Sequence, residues 1–294
     1  MKTRLIVNPV SGRDQAPDVL PAVNERLRAA FGEVEIVMTI GEGDGEHSAR
    51  RAAEDGCRRI IVAGGDGTLN EALNGVAAAG ALDDTVFGVV PLGTGNDFAT
   101  VLGLPDDPLD AAERVAAGLE RRVDLGVLHE RVFVNASAGG FVAEVSDALS
   151  SGLKTIAGRM AYVIAGAGVL MDFEPPSVEA RFGDEVIPRR PCQLFVVCNG
   201  QTIGGGHRVA PHARLDDGLL DVCLVEASTA TEFLTLLRRI SNGDHLGDPL
   251  VTYRQFREGE LSFDRVIKVN TDGEVRQADR CRYRVMPGAA RFLT

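Results

Sequence analysis

The sequence predicts an α/β lobe of three layers followed by a β-rich sandwich lobe. Three observations carry that expectation. Compact β-branched runs alternate with helical stretches between Leu5 and Ala117; after Val123 strands follow one another closely, mostly without helices between them; and no repeat or low-complexity linker separates the two halves. Strand–helix alternation implies βαβ units around a parallel sheet, whereas closely spaced strands with turn residues between them imply antiparallel pairing.

In the first half, Leu5–Val7, Val34–Thr39, Ile60–Val62 and Val86–Pro91 are short apolar runs bounded by Gly, Pro, Asn or Asp. Parallel strands buried on both faces read this way. Helical stretches fall at Val19–Ala30, Glu46–Glu54, Leu69–Ala79 and Leu109–Ala117. In the second half, strands are expected at Val127–Asn135, Val178–Phe182, Gln193–Cys198, Leu219–Val225, Glu260–Phe263 and Val266–Asn270. Helical insertions are expected over Glu144–Leu170 and Thr231–Ile240. The lobe boundary is placed near Asp124, so that the first lobe spans residues 1–124 and the second residues 125–279.

The chain has 294 residues, which at about 150 per domain suits two domains. Apolar residues at 45% and charged residues at 25% are ordinary globular usage and exclude wholesale disorder. The formal charge of −11 argues against a general nucleic-acid binder and against attachment to anionic lipid by overall charge. Cys57, Cys192, Cys198, Cys223 and Cys281 are scattered and form no CxxC pair, so a reducing compartment is expected rather than a disulfide framework or zinc site. No signal peptide is read in the opening residues, and the longest apolar stretch, Met160–Met171, falls short of the ~20 residues of a membrane span. A cytoplasmic protein is expected.

The most informative stretch is Ile60-Ile61-Val62-Ala63-Gly64-Gly65-Asp66-Gly67-Thr68-Leu69-Asn70-Glu71, a buried strand running through a glycine-rich turn into a helix. Glycines let backbone N–H groups approach a phosphate, and a helix N-terminus adds positive dipole. Asp66 sits at the carboxyl end of the strand, where α/β sheets bind ligands. A carboxylate there would repel phosphate unless a divalent cation lay between them, so Asp66 reads as a Mg²⁺-nucleotide residue; the local alternative is a plain turn with Thr68 as N-cap. A second loop, Pro91-Leu92-Gly93-Thr94-Gly95-Asn96-Asp97-Phe98-Ala99, again joins a strand to a helical turn. Thr94 and Asn96 suit phosphate or ribose, and Asp97 suits a hydroxyl or a metal. Asn8-Pro9 with Ser11-Gly12 ends the first strand at the same sheet edge. Neither a Walker A sequence nor GxGxxG is present.

These three segments, in this order, resemble the diacylglycerol kinase catalytic-domain family, and within it the bacterial YegS-type lipid kinases. The resemblance continues through Gly204-Gly205-Gly206, Ala210-Pro211-His212-Ala213, Asp217-Gly218-Leu219-Leu220 and Thr271-Asp272-Gly273-Glu274, and so spans essentially the whole chain. It implies an α/β nucleotide lobe related to that of NAD kinases, a β-rich lipid-substrate lobe, and a last strand (about 280–294) returning to the first lobe. It also implies ATP as cosubstrate, with Asn8, Thr39, Gly64, Gly65, Asp66, Gly67, Thr68, Leu69, Asn70, Thr94, Asn96 and Asp97 around the nucleotide. By the same resemblance Glu274 is the general base; Asp66, the other catalytic candidate, organises Mg²⁺. A structural Mg²⁺ would be held by Asp217 and by the carbonyls of Arg214 and Leu219, with Asp124 linked to it through water.

Local readings stand beside these. Asp272-Gly273-Glu274 alone reads as a hairpin turn with solvated acids, and Asp216-Asp217-Gly218 as a strand-entry turn. Thr39 suits either nucleotide contact or a cap; His207 and His212 read as loop residues, and Arg208 as a phosphate contact or a solvated side chain. Met160–Met171 reads as a packed helix, or as an acyl-chain surface. The expected activity is transfer of the γ-phosphoryl of ATP to a glycerolipid hydroxyl, of the diacylglycerol or phosphatidylglycerol class, at the inner membrane face. Homodimerisation is left open. An NAD kinase-like enzyme and a non-catalytic nucleotide- or lipid-binding regulator are the alternatives; a sphingoid base is a further acceptor, less consistent with Asn96-Asp97-Phe98.

Overall fold

The four apolar runs of the first half pair in parallel. In the computed structural model, which describes residues 1–12, 16–144 and 173–294, the first half runs β1 (Thr3–Val7), α1 (Ala16–Phe31), β2 (Val34–Met38), α2 (Asp44–Glu54), β3 (Arg59–Gly64), α3 (Asp66–Ala78), β4 (Val86–Pro91), α4 (Asp97–Leu102) and α5 (Pro108–Ala117). The strands lie side by side as β2-β1-β3-β4. Successive strand residues face opposite ways. Ile6, Ile60, Val62, Phe87 and Val89 accordingly meet Ala49, Leu69, Leu73 and Phe98 of α2, α3 and α4. Leu5, Val7, Ile61, Ala63 and Val90 meet Val23, Leu27, Ala112 and Val115 of α1 and α5. Both faces are covered, and the result is three layers.

The second half comprises β5 (Glu120–Leu128), β6 (Arg131–Phe133), β7 (Ala136–Gly140), β8 (Ser177–Phe182), β9 (Glu185–Cys198), β10 (Leu220–Glu226), α6 (Ala230–Asn242), β11 (Val251–Phe256), β12 (Glu258–Thr271) and β13 (Glu274–Leu293). β9 and β12 each pair with β8 along one half and with β7 along the other, so these strands close on themselves. Phe182, Phe195, Leu261 and Phe263 pack in the core they enclose. A further cluster lies where α6 packs Phe233, Leu236 and Ile240 against Leu194, Val196 and Cys223.

Two expected strands differ in outline. Val127–Asn135 breaks into a hairpin because His129 takes a left-handed conformation, φ 56°, ending β5 before β6 begins. Glu260–Phe263 and Val266–Asn270 are one strand, β12, whose register against β13 shifts between Ser262 and Ile267. The insertion expected over Glu144–Leu170 and the apolar run Met160–Met171 lie outside the described residues, Glu144 apart.

β13 joins the two halves. It pairs with β12, then with β5, and its end lies parallel to β4 through Arg291–Val86 and Phe292–Phe87. Phe292 is fully buried, its ring centroid 5.5 Å from that of Phe87 and 4.9 Å from that of Phe98. Asp124 lies within β5, beside this junction. All five cysteines are free and buried. Among the described residues no helix is long and apolar enough to cross a membrane.

The packing of α2 on α3 depends on Gly75, where a Cβ would lie 2.2 Å from the Glu46 carbonyl oxygen. Neither backbone can yield without moving its helix. Gly75→Ala is expected to destabilise the fold by about 1–3 kcal/mol, as overpacking does, read as a lower urea midpoint with an unchanged m-value.

Candidate active site

The turn after β3 contains almost no side chains, so its position is set by backbone contacts. Gly65 lies against Gly93 of the loop after β4: a Cβ on Gly93 would stand 2.7 Å from the Gly65 Cα. Asn8, at the end of β1, donates from Nδ2 to Thr68 Oγ1 at 3.1 Å and accepts from the Val10 N–H at Oδ1. The ends of β1, β3 and β4 are thereby drawn together at the carboxyl edge of the sheet.

Asp66 opens α3, and its carboxylate turns across to the neighbouring loop. It accepts from the N–H groups of Asp97 and Phe98, each at 3.1 Å, and so caps α4 from outside that helix. Asp97, 5% exposed, repeats the pattern: its carboxylate accepts from Gly205 at 2.8 Å and Gly206 at 2.9 Å. Two acids thus chain three glycine loops in series. Burial, and next the charge of Asp97, hold the Asp66 carboxyl above its ordinary range. A Cβ on Gly95 would stand 3.5 Å from Asp97 Oδ2 and 3.7 Å from Asp66 Oδ2, so both oxygens border the small space that glycine leaves.

The turn before β13 rests on the same loop, with the Asp272 carbonyl oxygen 3.8 Å from where a Gly67 Cβ would lie. Asp272 is buried, with φ 46°, and accepts from Val134 at 2.6 Å, Asn135 at 3.2 Å and Ala136 at 2.8 Å. It is an internal anchor rather than a solvated turn acid. Glu274 follows on a partly exposed edge. Its Oε2 accepts from Arg131 at 3.1 Å and its Oε1 from Arg276 at 2.7 Å. Arg131 also donates to Glu46 of α2 at 2.9 Å. The bond to Glu46, and then the Glu274 charge, raise the Arg131 pKa further.

The other nucleotide-side candidates sit differently. Thr94 is exposed, while Asn96 takes φ 50° and donates from Nδ2 to the Gly93 carbonyl oxygen. Thr39 is buried, its N–H bonded to the Val7 carbonyl oxygen. Leu69 packs its side chain into the core, leaving only its backbone toward any ligand. Asn70 is buried and accepts from Asn74 at its side-chain oxygen, on the route to Val132.

Asp124 and Asp217 form a separate group. Asp124 accepts from Gly218 at 2.7 Å and from Gly288 at 2.6 Å, and its N–H donates to the Leu215 carbonyl. Asp217 accepts from Leu219 at 3.0 Å; burial, and then the charge of Asp124, raise its pKa. The Arg214 guanidinium turns onto Asp216 at 3.3 Å. Among the described residues no three His, Cys, Asp or Glu side chains gather as a metal cluster.

Residues 2–128 match the diacylglycerol kinase catalytic domain, and residues 135–294 match the YegS C-terminal NAD kinase beta sandwich-like domain. The chain belongs to the diacylglycerol kinase family of lipid kinases. It is 34% identical over 275 residues to a diacylglycerol kinase of Bacillus subtilis, covering 93% of this chain and 89% of that protein. It is 36% identical over 290 residues to a Chromohalobacter salexigens protein named "Probable lipid kinase YegS-like", covering 98% and 91%. A diacylglycerol kinase structure from Bacillus anthracis shares the fold at a TM-score of 0.76 and 24% identity, covering 99% and 96%. An Archaeoglobus fulgidus NAD kinase in complex with ATP shares it more distantly, at 0.51 and 14%, covering 99% and 93%. The two lobes thus have the architecture of diacylglycerol and NAD kinases.

Three residues of this constellation escape a reading of the sequence: Asp272 as an anchor, and Arg131 and Arg276 as the partners of Glu274. A Thr-Asp-Gly-Glu turn gives no local sign of burial, and an arginine declares its partner only once the strands are paired. Burial pushes the Asp272 carboxyl up to about 7, against the pull of its three N–H donors. The unfolded carboxyl titrates near ~3.9, so folding favours the protonated form. That contribution is complete below pH ~4 and is lost as pH rises through about 7. The urea midpoint of the wild-type chain is expected to fall over this interval by a margin that Asp272→Asn removes.

Proposed function

We propose that this chain transfers the γ-phosphoryl of ATP to a hydroxyl of a glycerolipid, of the diacylglycerol or phosphatidylglycerol class, at a membrane surface. The observation that carries the reading is that the turn leading into Glu274 rests on a glycine loop poor in side chains. The Asp272–Gly273 turn meets Gly67 of the Gly64–Thr68 loop, which lies against the Gly93–Asp97 loop. In that reading the backbone N–H groups of these loops hold the phosphates, while Asp66 and Asp97 keep the loops at fixed separation. Glu274 accepts the proton of the attacking hydroxyl. Phosphoryl transfer needs position and charge neutralisation more than a nucleophilic side chain.

Mg²⁺ fits the residues present. The oxygens of Asp66 and Asp97 that border the Gly95 space are hard ligands facing where phosphate would enter. Asp217 and Asp124 are two acids of like charge that the Arg214 guanidinium, turned to Asp216, offsets only in part. One carboxylate with the Arg214 and Leu219 carbonyls is a sufficient set for an ion that keeps several waters. When bound, Mg²⁺ supplies charge neutralisation of the phosphates and order to the 214–219 turn. If that turn holds the ion, Mg²⁺ raises the unfolding temperature of the wild-type chain by more than that of Asp217→Asn.

The NAD kinase reading shares the fold; what favours a lipid is the greater similarity to lipid kinases across both lobes. Incubation with γ-labelled ATP, Mg²⁺ and vesicles carrying dioleoylglycerol or phosphatidylglycerol, beside NAD in solution, separates them. Label in lipid is expected, and label in NAD alone overturns the proposal. Glu274→Gln is expected to lower transfer by about 10²–10⁴-fold with ATP binding retained, as loss of a general base does.

A further inference from the structure

Glu274 carries two guanidiniums, and they are held differently. Arg131 is fixed from its far side by Glu46 and its side chain is 27% exposed. Arg276 is 57% exposed, and among the described residues Glu274 is its one partner. Asp66, Asp97, Asp272, Glu46 and Glu274 outnumber these two cations, and the loops 64–68 and 93–97 contain neither Lys nor Arg. A triphosphate would add more negative charge to a site already rich in it. Among the described residues, the cation that touches this carboxylate and is held by no other side chain is Arg276.

We propose that Arg276 is a catalytic residue of phosphoryl transfer, its guanidinium passing from Glu274 to the equatorial oxygens of the transferred group. The inference rests on the reading of Glu274 as the base. A base lies ~2.6–3.2 Å from the proton donor, and the attacking oxygen ~3–3.5 Å from the phosphorus. In that reading a guanidinium 2.7 Å from the other oxygen of that base stands next to the group being transferred. Arg276 is two residues along β13 from Glu274, whose turn rests on Gly67 of the phosphate loop. In the step itself the acceptor oxygen bonds to the γ-phosphorus and the bond to the β–γ bridging oxygen breaks. ADP leaves with that electron pair, and the hydroxyl proton passes to Glu274. Arg276 transfers no proton. Its departure frees Oε1 to accept one, and its new position neutralises charge that develops on the phosphoryl oxygens. Arg131, tied to Glu46, keeps Glu274 aimed throughout.

The contrary possibility is that Arg276 only pairs with Glu274 and blocks its Oε1, and the two predict opposite signs. With dioleoylglycerol in Triton X-100 micelles as acceptor, Arg276→Gln is expected to lower kcat by about 10³-fold, the scale of a phosphoryl-facing arginine, while KM for ATP stays nearly constant. Arg276→Lys should recover part of the loss. An unchanged or raised kcat in Arg276→Gln overturns the proposal. A second readout needs no acceptor: calorimetric titration with ADP and Mg²⁺, with and without beryllium fluoride as phosphoryl mimic. Wild type should bind more tightly with fluoride, and Arg276→Gln should lose most of that gain with ADP affinity unaltered. Gain kept in full by the variant contradicts the role of Arg276 alone. Absence of any gain in wild type contradicts the phosphoryl site itself, and full activity in Glu274→Gln contradicts the base.

Discussion

Everything at this site depends on carboxylates accepting hydrogen bonds from backbone N–H groups. Glycine loops can bring main-chain donors close to a phosphate because they lack side chains, and for the same reason they cannot pack themselves into place. Asp66 fixes the start of α4, and Asp97 fixes Gly205 and Gly206. Hydrogen bonds to charged groups contribute ~1.5–3 kcal/mol each, more than neutral ones, and here they act between loops rather than within a helix. The acids are costly to bury. The cost falls visibly on Asp66, whose carboxyl is raised by burial and by the neighbouring Asp97.

The same device recurs at the lobe junction. Asp272 gathers three N–H groups of the 134–136 segment, and Asp124 gathers Gly218 and Gly288. Both lie against strands that belong to both halves of the molecule: β5 and β13 run from the sandwich lobe to the parallel sheet, and Phe292 closes that seam against Phe87 and Phe98. The placement of the Asp272–Gly273 turn over Gly67 follows from this seam. A displacement of β13 would move the turn carrying Glu274 and the 64–68 loop apart together with the lobes.

Much of this could be read in the chain before folding. Buried parallel strands advertise themselves as apolar runs because both faces are covered, and Leu5–Val7, Ile60–Val62 and Val86–Pro91 are such runs. Glycine-bracketed acids after those strands marked Asp66 and Asp97. Less could be read where partners come from distant segments. Arg131 meets Glu46 across 85 positions and Glu274 across 143, a pairing no local pattern encodes. The His129 turn was hidden in a run that reads as one strand, and the irregular register of β12 against β13 made one strand read as two. Leu69 and Asn70 sit beside the 64–68 glycine loop in sequence, yet their side chains face the core and Asn74 respectively, since helix periodicity turns them away.

The measurement that bears most directly on this account is amide hydrogen exchange in Asp97→Ala beside wild type. If the carboxylate of Asp97 holds the third loop in place, the amides of Gly205 and Gly206 lose protection in the variant while β3, β4 and β13 keep theirs, and phosphoryl transfer falls with them. Unchanged protection at Gly205 and Gly206 would contradict the account, because the loops would then be held by something other than the acids between them.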